Sequence, residues 1–187
     1  MHLELVDHRL RQQLVQTRLP FKFGVQVLRK VALAELHITV ATADGFRVIG
    51  RSSDLLVPKW FEKNPETTPE ADSAALAKSV QTAVEVAEMA TRTAGAHPVF
   101  DIAEIARIEL VGSRNHSDAD VLVRGFGVAM LERAMIDAAC RLAGLSFDEA
   151  LRQNIFGFSA SRLIPEVGDW SPSSLPATAT SMAVRHT

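Results

Sequence analysis

The chain has 187 residues, 47% of them hydrophobic and 22% charged, enough for one sizeable core or for one small domain plus part of another. Its net charge of −2 gives no overall electrostatic footprint for nucleic acid or an anionic membrane surface. The single cysteine excludes an intrachain disulfide. With no signal-peptide pattern and no run of about 18 apolar residues, the expectation is a soluble cytoplasmic protein.

Residues 3–16 alternate imperfectly, Leu3, Leu5, Asp7 and Arg9 against Glu4, Val6, His8 and Leu10, and read as a first strand exposed on one side. Residues 30–53 read as an antiparallel hairpin. Ala34, Leu36, Ile38 and Val40 alternate with Glu35, His37 and Thr39. Asp44-Gly45 accepts the positive φ of a tight turn, and Phe46, Val48 and Gly50 alternate with Arg47, Ile49 and Arg51. Together these predict a three-stranded antiparallel sheet that needs helices as a cover. Two loops flank the hairpin, Arg18-Leu-Pro-Phe-Lys-Phe-Gly24 and Leu56-Val-Pro-Lys-Trp-Phe61, each mixing Pro, aromatics and Lys. They are expected at the same end of the sheet, with Phe21, Phe23 or Trp60 partly exposed. The bland alternative, loop aromatics plugging a core edge, weighs about equally on composition.

Thr67 and Thr68 offer N-caps to a helix near residues 70–94, with Pro69 at N1 and Glu70 at capping-box spacing from Thr67. Leu76, Val80, Ala83, Val84, Ala87 and Ala90 form its core stripe, and Gly95 stops it. Asp101 and Glu104 repeat the capping-box spacing before a shorter helix to about Val111, and these first two helices are expected to cover the sheet. Residues 112–120 read as a polar turn. A third helix starts at Val121 or Arg124 and runs to Ala143, with Val128, Leu131, Met135, Ala138 and Leu142 inward and Asp137 able to pair with Arg133 or Arg141. Ser146, with Glu149 at N3, caps a short helix over residues 147–153. Beyond Asn154, with Pro165, Pro172 and Pro176, no period persists until a short strand at residues 181–187.

No phosphate loop, dinucleotide fingerprint, zinc-protease or nucleophile-elbow motif occurs. Gly125 and Gly127 read as close helix packing. Cys140 on the third helix reads as buried and inert. The six histidines are scattered, and His37 reads as a solvated cross-strand residue. His116-Ser-Asp-Ala-Asp120 fits a helix cap better than a cation site.

Several strings, collinear over most of the chain, resemble the enolase superfamily in its mandelate racemase and muconate lactonizing branch. Residues 18–24 resemble the first mobile loop of that family's N-terminal capping domain, and Phe46-Arg-Val-Ile-Gly50 with the segment to Trp60 resembles its third strand and second loop. Arg51 stands where the family has Glu after Gly. Residues 131–145 resemble the last capping-domain helix: Ala134 and Asp137 match, Glu132 stands near the family's first Asp, and Ser146 replaces a Pro.

The resemblance implies an α+β cap over residues 1–120. Residues 121–187 would then be the helix, connector and first-strand stub of an incomplete (β/α) barrel, since 67 residues fall far short of the roughly 250 of a barrel. It further implies Mg²⁺-dependent proton abstraction α to a carboxylate in a full-length member, as racemase, cycloisomerase or dehydratase. Base and metal ligands would sit on barrel strands absent here, so no catalytic and no metal residue is assigned in this chain. The implied substrate-binding residues are Arg18, Phe21, Phe23, Lys59 and Trp60, and the implied partner is a small carboxylate, with no nucleic acid and no membrane; a homo-oligomer stays open. The other reading is a free-standing α+β module for small-molecule binding or protein interaction, and the nucleotide sequence past Thr187 discriminates the two.

Overall fold

A computed structural model describes residues 1–23, 26–112 and 118–175, and for Gln26 and residues 118–120 the backbone alone. The expected strand at 181–187, the loop at 113–117 with His116, and the side chains of Asp118 and Asp120 lie outside the described residues. The architecture is α+β: a three-stranded antiparallel sheet, β1 (Glu4–Phe23), β2 (Gln26–Ala41) and β3 (Arg47–Leu55) in that order, followed by helices. The helices are α1 (Pro69–Ala94), α2 (Val99–Val111), α3 (Asp118–Ala143), α4 (Phe147–Arg152) and α5 (Ala160–Leu163), with two short 3-10 turns after them.

The β2–β3 register, Ile38 opposite Gly50 and Leu36 opposite Ser52, puts the alternating apolar set on one face. There Ala34, Leu36, Ile38 and Val40 are fully buried. Gly45 turns the hairpin at φ +84°, while Thr42 N–H donates to Phe46 O at 3.0 Å. Phe46, expected to start the strand, belongs to this turn and is exposed. The Asp44 carboxyl is held below its usual range chiefly by the Thr42 hydroxyl.

β1 departs from expectation. It does not end at Gln16 but runs to Phe23, so the expected first loop is strand up to Phe23: Phe21 pairs with Leu28 and Lys22 with Val27. The register slips between Gln16 and Phe21. Residues 17–20 bulge there, and Pro20, which has no N–H to donate, sits in that unpaired stretch. Since β3 pairs only as far as Leu33, the rest of β1 and β2 forms a two-stranded ribbon past the sheet's third strand.

α1 and α3 cover the buried face, α1 against β1 and α3 against β2 and β3, whereas α2 packs on these two helices as an outer layer. The expected covering role of α2 thus passes to α3, whose apolar surface is wider than one stripe: Met130, Leu131, Ala134, Met135, Ala138 and Ala139 are all fully buried. Two glycines permit the close approach. A Cβ on Gly50 would lie 2.1 Å from Ala134 O, and one on Gly127 would lie 2.2 Å from Ser79 O, where α3 crosses α1. Gly127 lies inside α3 rather than at its start, because the helix begins at Asp118, earlier than the apolar period shows.

Capping follows the sequence at α1 and α4. Thr68 is the cap of α1 and accepts from Ala71 N–H at 3.2 Å, while Thr67, at box spacing from Glu70, instead accepts from Lys59 Nζ; Ser146 with Glu149 closes a capping box at α4. At α2 the expected Asp101 cap gives way to Pro98, with no side-chain cap bond. Asp101 pairs with Arg162, and Glu104 with Arg107 at 2.6 Å. Asp137 pairs with Arg141 and accepts from Arg51 N–H at 2.9 Å, while Arg133 turns to Asp54.

Candidate functional site

The chain after β3 folds back onto the start of α1. Leu56 is fully buried, its N–H donates to Ala32 O at 2.8 Å, and its carbonyl accepts from the Ser73 hydroxyl at 3.0 Å. Lys59 follows with φ +59°, an uncommon backbone state for a residue with a Cβ. That state is held from several sides. Lys59 N–H donates to Asp72 Oδ2 at 3.2 Å, and Nζ stands 3.1 Å from the same oxygen. Nζ also donates to Asn64 O at 2.6 Å, Thr67 O at 2.7 Å and Thr67 Oγ1 at 2.5 Å. An ammonium has three protons, and here all have acceptors inside the loop. Asp72 is 3% exposed, and its Oδ1 has no hydrogen-bond partner among the described residues.

This anchored loop presents Trp60. The tip of the ribbon reaches it: Phe23 meets Trp60 edge to face with centroids 5.1 Å apart, and Phe21 stacks on Phe23 at 5.8 Å. Phe23 is half-buried, while Phe21 and Trp60 keep 52% and 48% of their surface exposed. Register puts Phe21 and Phe23 on the side of the ribbon that continues the buried face of β2, which is why they face the loop. The two flanking segments therefore meet at one end of the sheet. Of the residues expected in a site, the structure brings together Phe21, Phe23 and Trp60. Arg18 is exposed in the bulged stretch of β1 three positions before Phe21, and Lys59 is spent on shaping the loop.

Three aromatic rings, two of them exposed, can take a flat apolar body; Lys22, between Phe21 and Phe23 in the strand, lies on the other face of the ribbon. They offer no acid–base group and no nucleophile. Cys140, expected buried, is half-buried; its thiol is pushed up by burial and then by Asp137, which suits an inert side chain. Among the described residues no three His, Cys, Asp or Glu side chains gather to hold a metal ion. None of the described helices is long and apolar enough to cross a membrane.

Two carboxyls have surroundings that the sequence does not show. Asp72 reads as an ordinary first-turn acid of α1, and only the fold supplies its partner 13 residues upstream. Glu132 lies on α3 between buried Val128 and Met135, where its carboxyl is pushed up first by burial and then by Glu104. Beyond its place near the family's first Asp, its sequence signal is a charge at core spacing inside an apolar helix.

No family model matches the sequence, and no curated protein matches it. Among solved structures, an enolase from Bradyrhizobium complexed with magnesium and mandelic acid is similar with a TM-score of 0.50 and 16% identity, over 81% of this chain and 35% of that one. An enolase from alpha pretobacterium bal199 with bound magnesium gives a TM-score of 0.49 and 16% identity, over 80% of this chain and 34% of that one. This chain therefore spans about a third of the length of these structures. Its α+β arrangement, a three-stranded antiparallel sheet followed by helices, is the fold of part of an enolase-superfamily structure.

Proposed function

We propose that this chain is the substrate-capping portion of an enzyme of the mandelate racemase and muconate lactonizing type, and that it is inactive alone. Residues 1–120 are the cap, and residues 121–187 lead into a barrel that would supply the base and the magnesium ligands for proton abstraction α to a carboxylate. The observation that carries this reading is the meeting of two separate segments in one aromatic cluster, Phe23 on Trp60 at 5.1 Å and Phe21 on Phe23. The ligand would be a small carboxylate: the aromatics take its apolar body, Arg18 attracts its charge, and Lys59 acts from behind by fixing the loop. The mandelic acid bound by the Bradyrhizobium enolase supports that ligand class. Titrating the chain with mandelate, with Trp60 fluorescence isolated by Trp170→Phe, tests the cluster. A saturable response in the millimolar range, about −4 kcal/mol, that Phe23→Ala abolishes is expected. A response that Phe23→Ala leaves intact would remove these residues from the site.

One observation favours a second reading, a free-standing α+β module. The core closes among the chain's own residues, with Leu36, Ile38, Val80, Val84, Leu131 and Met135 all fully buried. A compact monomer with residues 161–175 strongly protected in hydrogen exchange would select it.

A further inference from the structure

Three hollows meet at Glu132. One, of about 180 Å³, is walled by Phe100, Phe147, Phe156 and Phe158 with Ile136 and Leu151. A second, of about 140 Å³, lies towards Glu104 and Arg107, and a groove of about 510 Å³ runs on towards Phe61 and Phe126. None of the residues of the 180 Å³ hollow belongs to the ribbon or to the loop that carries Trp60. Its rings form two contacts, Phe100 edge-on to Phe158 at 5.2 Å and Phe147 stacked on Phe156 at 5.9 Å.

Among the described residues Glu132 is the one ionisable group in that wall. It is half-buried and has no hydrogen bond or ion pair with any described residue. Arg107, the cation lining the neighbouring hollow, is committed to Glu104, and Arg162, whose guanidinium stands 5.0 Å over the Phe100 ring, is paired with Asp101. A carboxylate withdrawn from water without a partner is costly, and Glu104 adds a second negative charge nearby. A cation relieves both costs, and phenylalanine faces attract cations as well. Size sets the rest: an enclosed apolar cavity of about 150 Å³ holds benzene, so this hollow, of about 180 Å³ and open on one side, has room for a single six-membered ring.

We propose that the phenylalanine-lined hollow at Glu132 is a binding site for a small ring-bearing amine, its ring among Phe100, Phe147, Phe156 and Phe158 and its ammonium at the Glu132 carboxylate. Trp170 reports on it, because it stands edge-on to Phe158 at 6.4 Å. The probes are benzylamine and its neutral counterpart benzyl alcohol, titrated into the full chain carrying Trp60→Phe. Benzylamine should change Trp170 emission saturably and bind at least about tenfold more tightly than benzyl alcohol, which is about 1.4 kcal/mol. Glu132→Gln, nearly isosteric, should erase that preference while leaving weak binding of both rings, and Glu104→Gln should reduce it less. Equal binding of the two probes, a preference that survives Glu132→Gln, or no saturable response would overturn the assignment. Thermal unfolding of each variant checks that loss of binding is not loss of fold.

Discussion

Lys59 and Asp72 are the pair on which the Trp60 loop rests. With side chains 15% and 3% exposed, both have left bulk water, and each depends on the other for compensation. Asp72 also lies in the first turn of α1, where the helix dipole favours its charge. Lys59→Met therefore strands a buried carboxylate and should cost about 3 kcal/mol, read as a lower urea midpoint. Adding Asp72→Asn should recover much of that loss, since the uncompensated charge goes with it. Glu132 works in the opposite sense. Its carboxyl is pushed up in the folded state by burial and by Glu104, so folding favours the protonated form. That contribution is fully present below the ordinary carboxylate range and is lost as pH rises through the folded value. The charged side chains that line the hollows around it are Glu104 and Arg107 on α2, with Arg133 and Asp54 along the groove. Glu132→Gln should accordingly raise the melting temperature near neutral pH, and its advantage should shrink as pH falls. A gap between variant and parent that is constant with pH would contradict the burial of this carboxyl.

At the scale of elements, α3 is what joins sheet and helices, and it does so at glycine contacts. With Ala134 O only 2.1 Å from the position a Cβ would take on Gly50, Gly50→Ala must push α3 off β3. Overpacking of this kind costs about 1–3 kcal/mol, and chemical denaturation should place the variant at the upper end. Gly125, with nothing within 4 Å of its Cβ position, should tolerate alanine. The β2–β3 hairpin, α1 and α4 were legible in the sequence because their signals are local: alternation around Leu36 and Ile38, a Gly at positive φ, a Thr or Ser cap. What was not legible depends on distant chain. Pro20 and its neighbouring aromatics read as a loop, yet three pairs from Phe21 to Phe23 resume the ladder past the bulge. Asp101 looked like a cap until Arg162, 61 residues on, took it. Phe21, Phe23 and Trp60 were legible as candidates from composition, but the inward turn of Lys59 required the placement of Asp72 and Thr67.

For the whole molecule, the fold closes one core and leaves an apolar surface outside it. All residues from 161 to 170 are exposed, and among them Leu163, Ile164 and Trp170 show 45%, 54% and 44% of their surface. Phe147, at 56%, adds to the exposed apolar surface of this C-terminal stretch. The proposed capping role predicts that this apolar surface, like the aromatic cluster, works against another surface. The chemistry argues the same way, since stabilising an enediolate needs a metal or several aimed donors in a dry site. The direct measurement is exchange of the α-proton of mandelate with solvent deuterium, catalysed by this chain with magnesium present and followed by proton NMR. The account predicts no exchange above the uncatalysed rate. Exchange that is abolished by a single carboxylate substitution in this chain would contradict it and mark the chain as a complete enzyme.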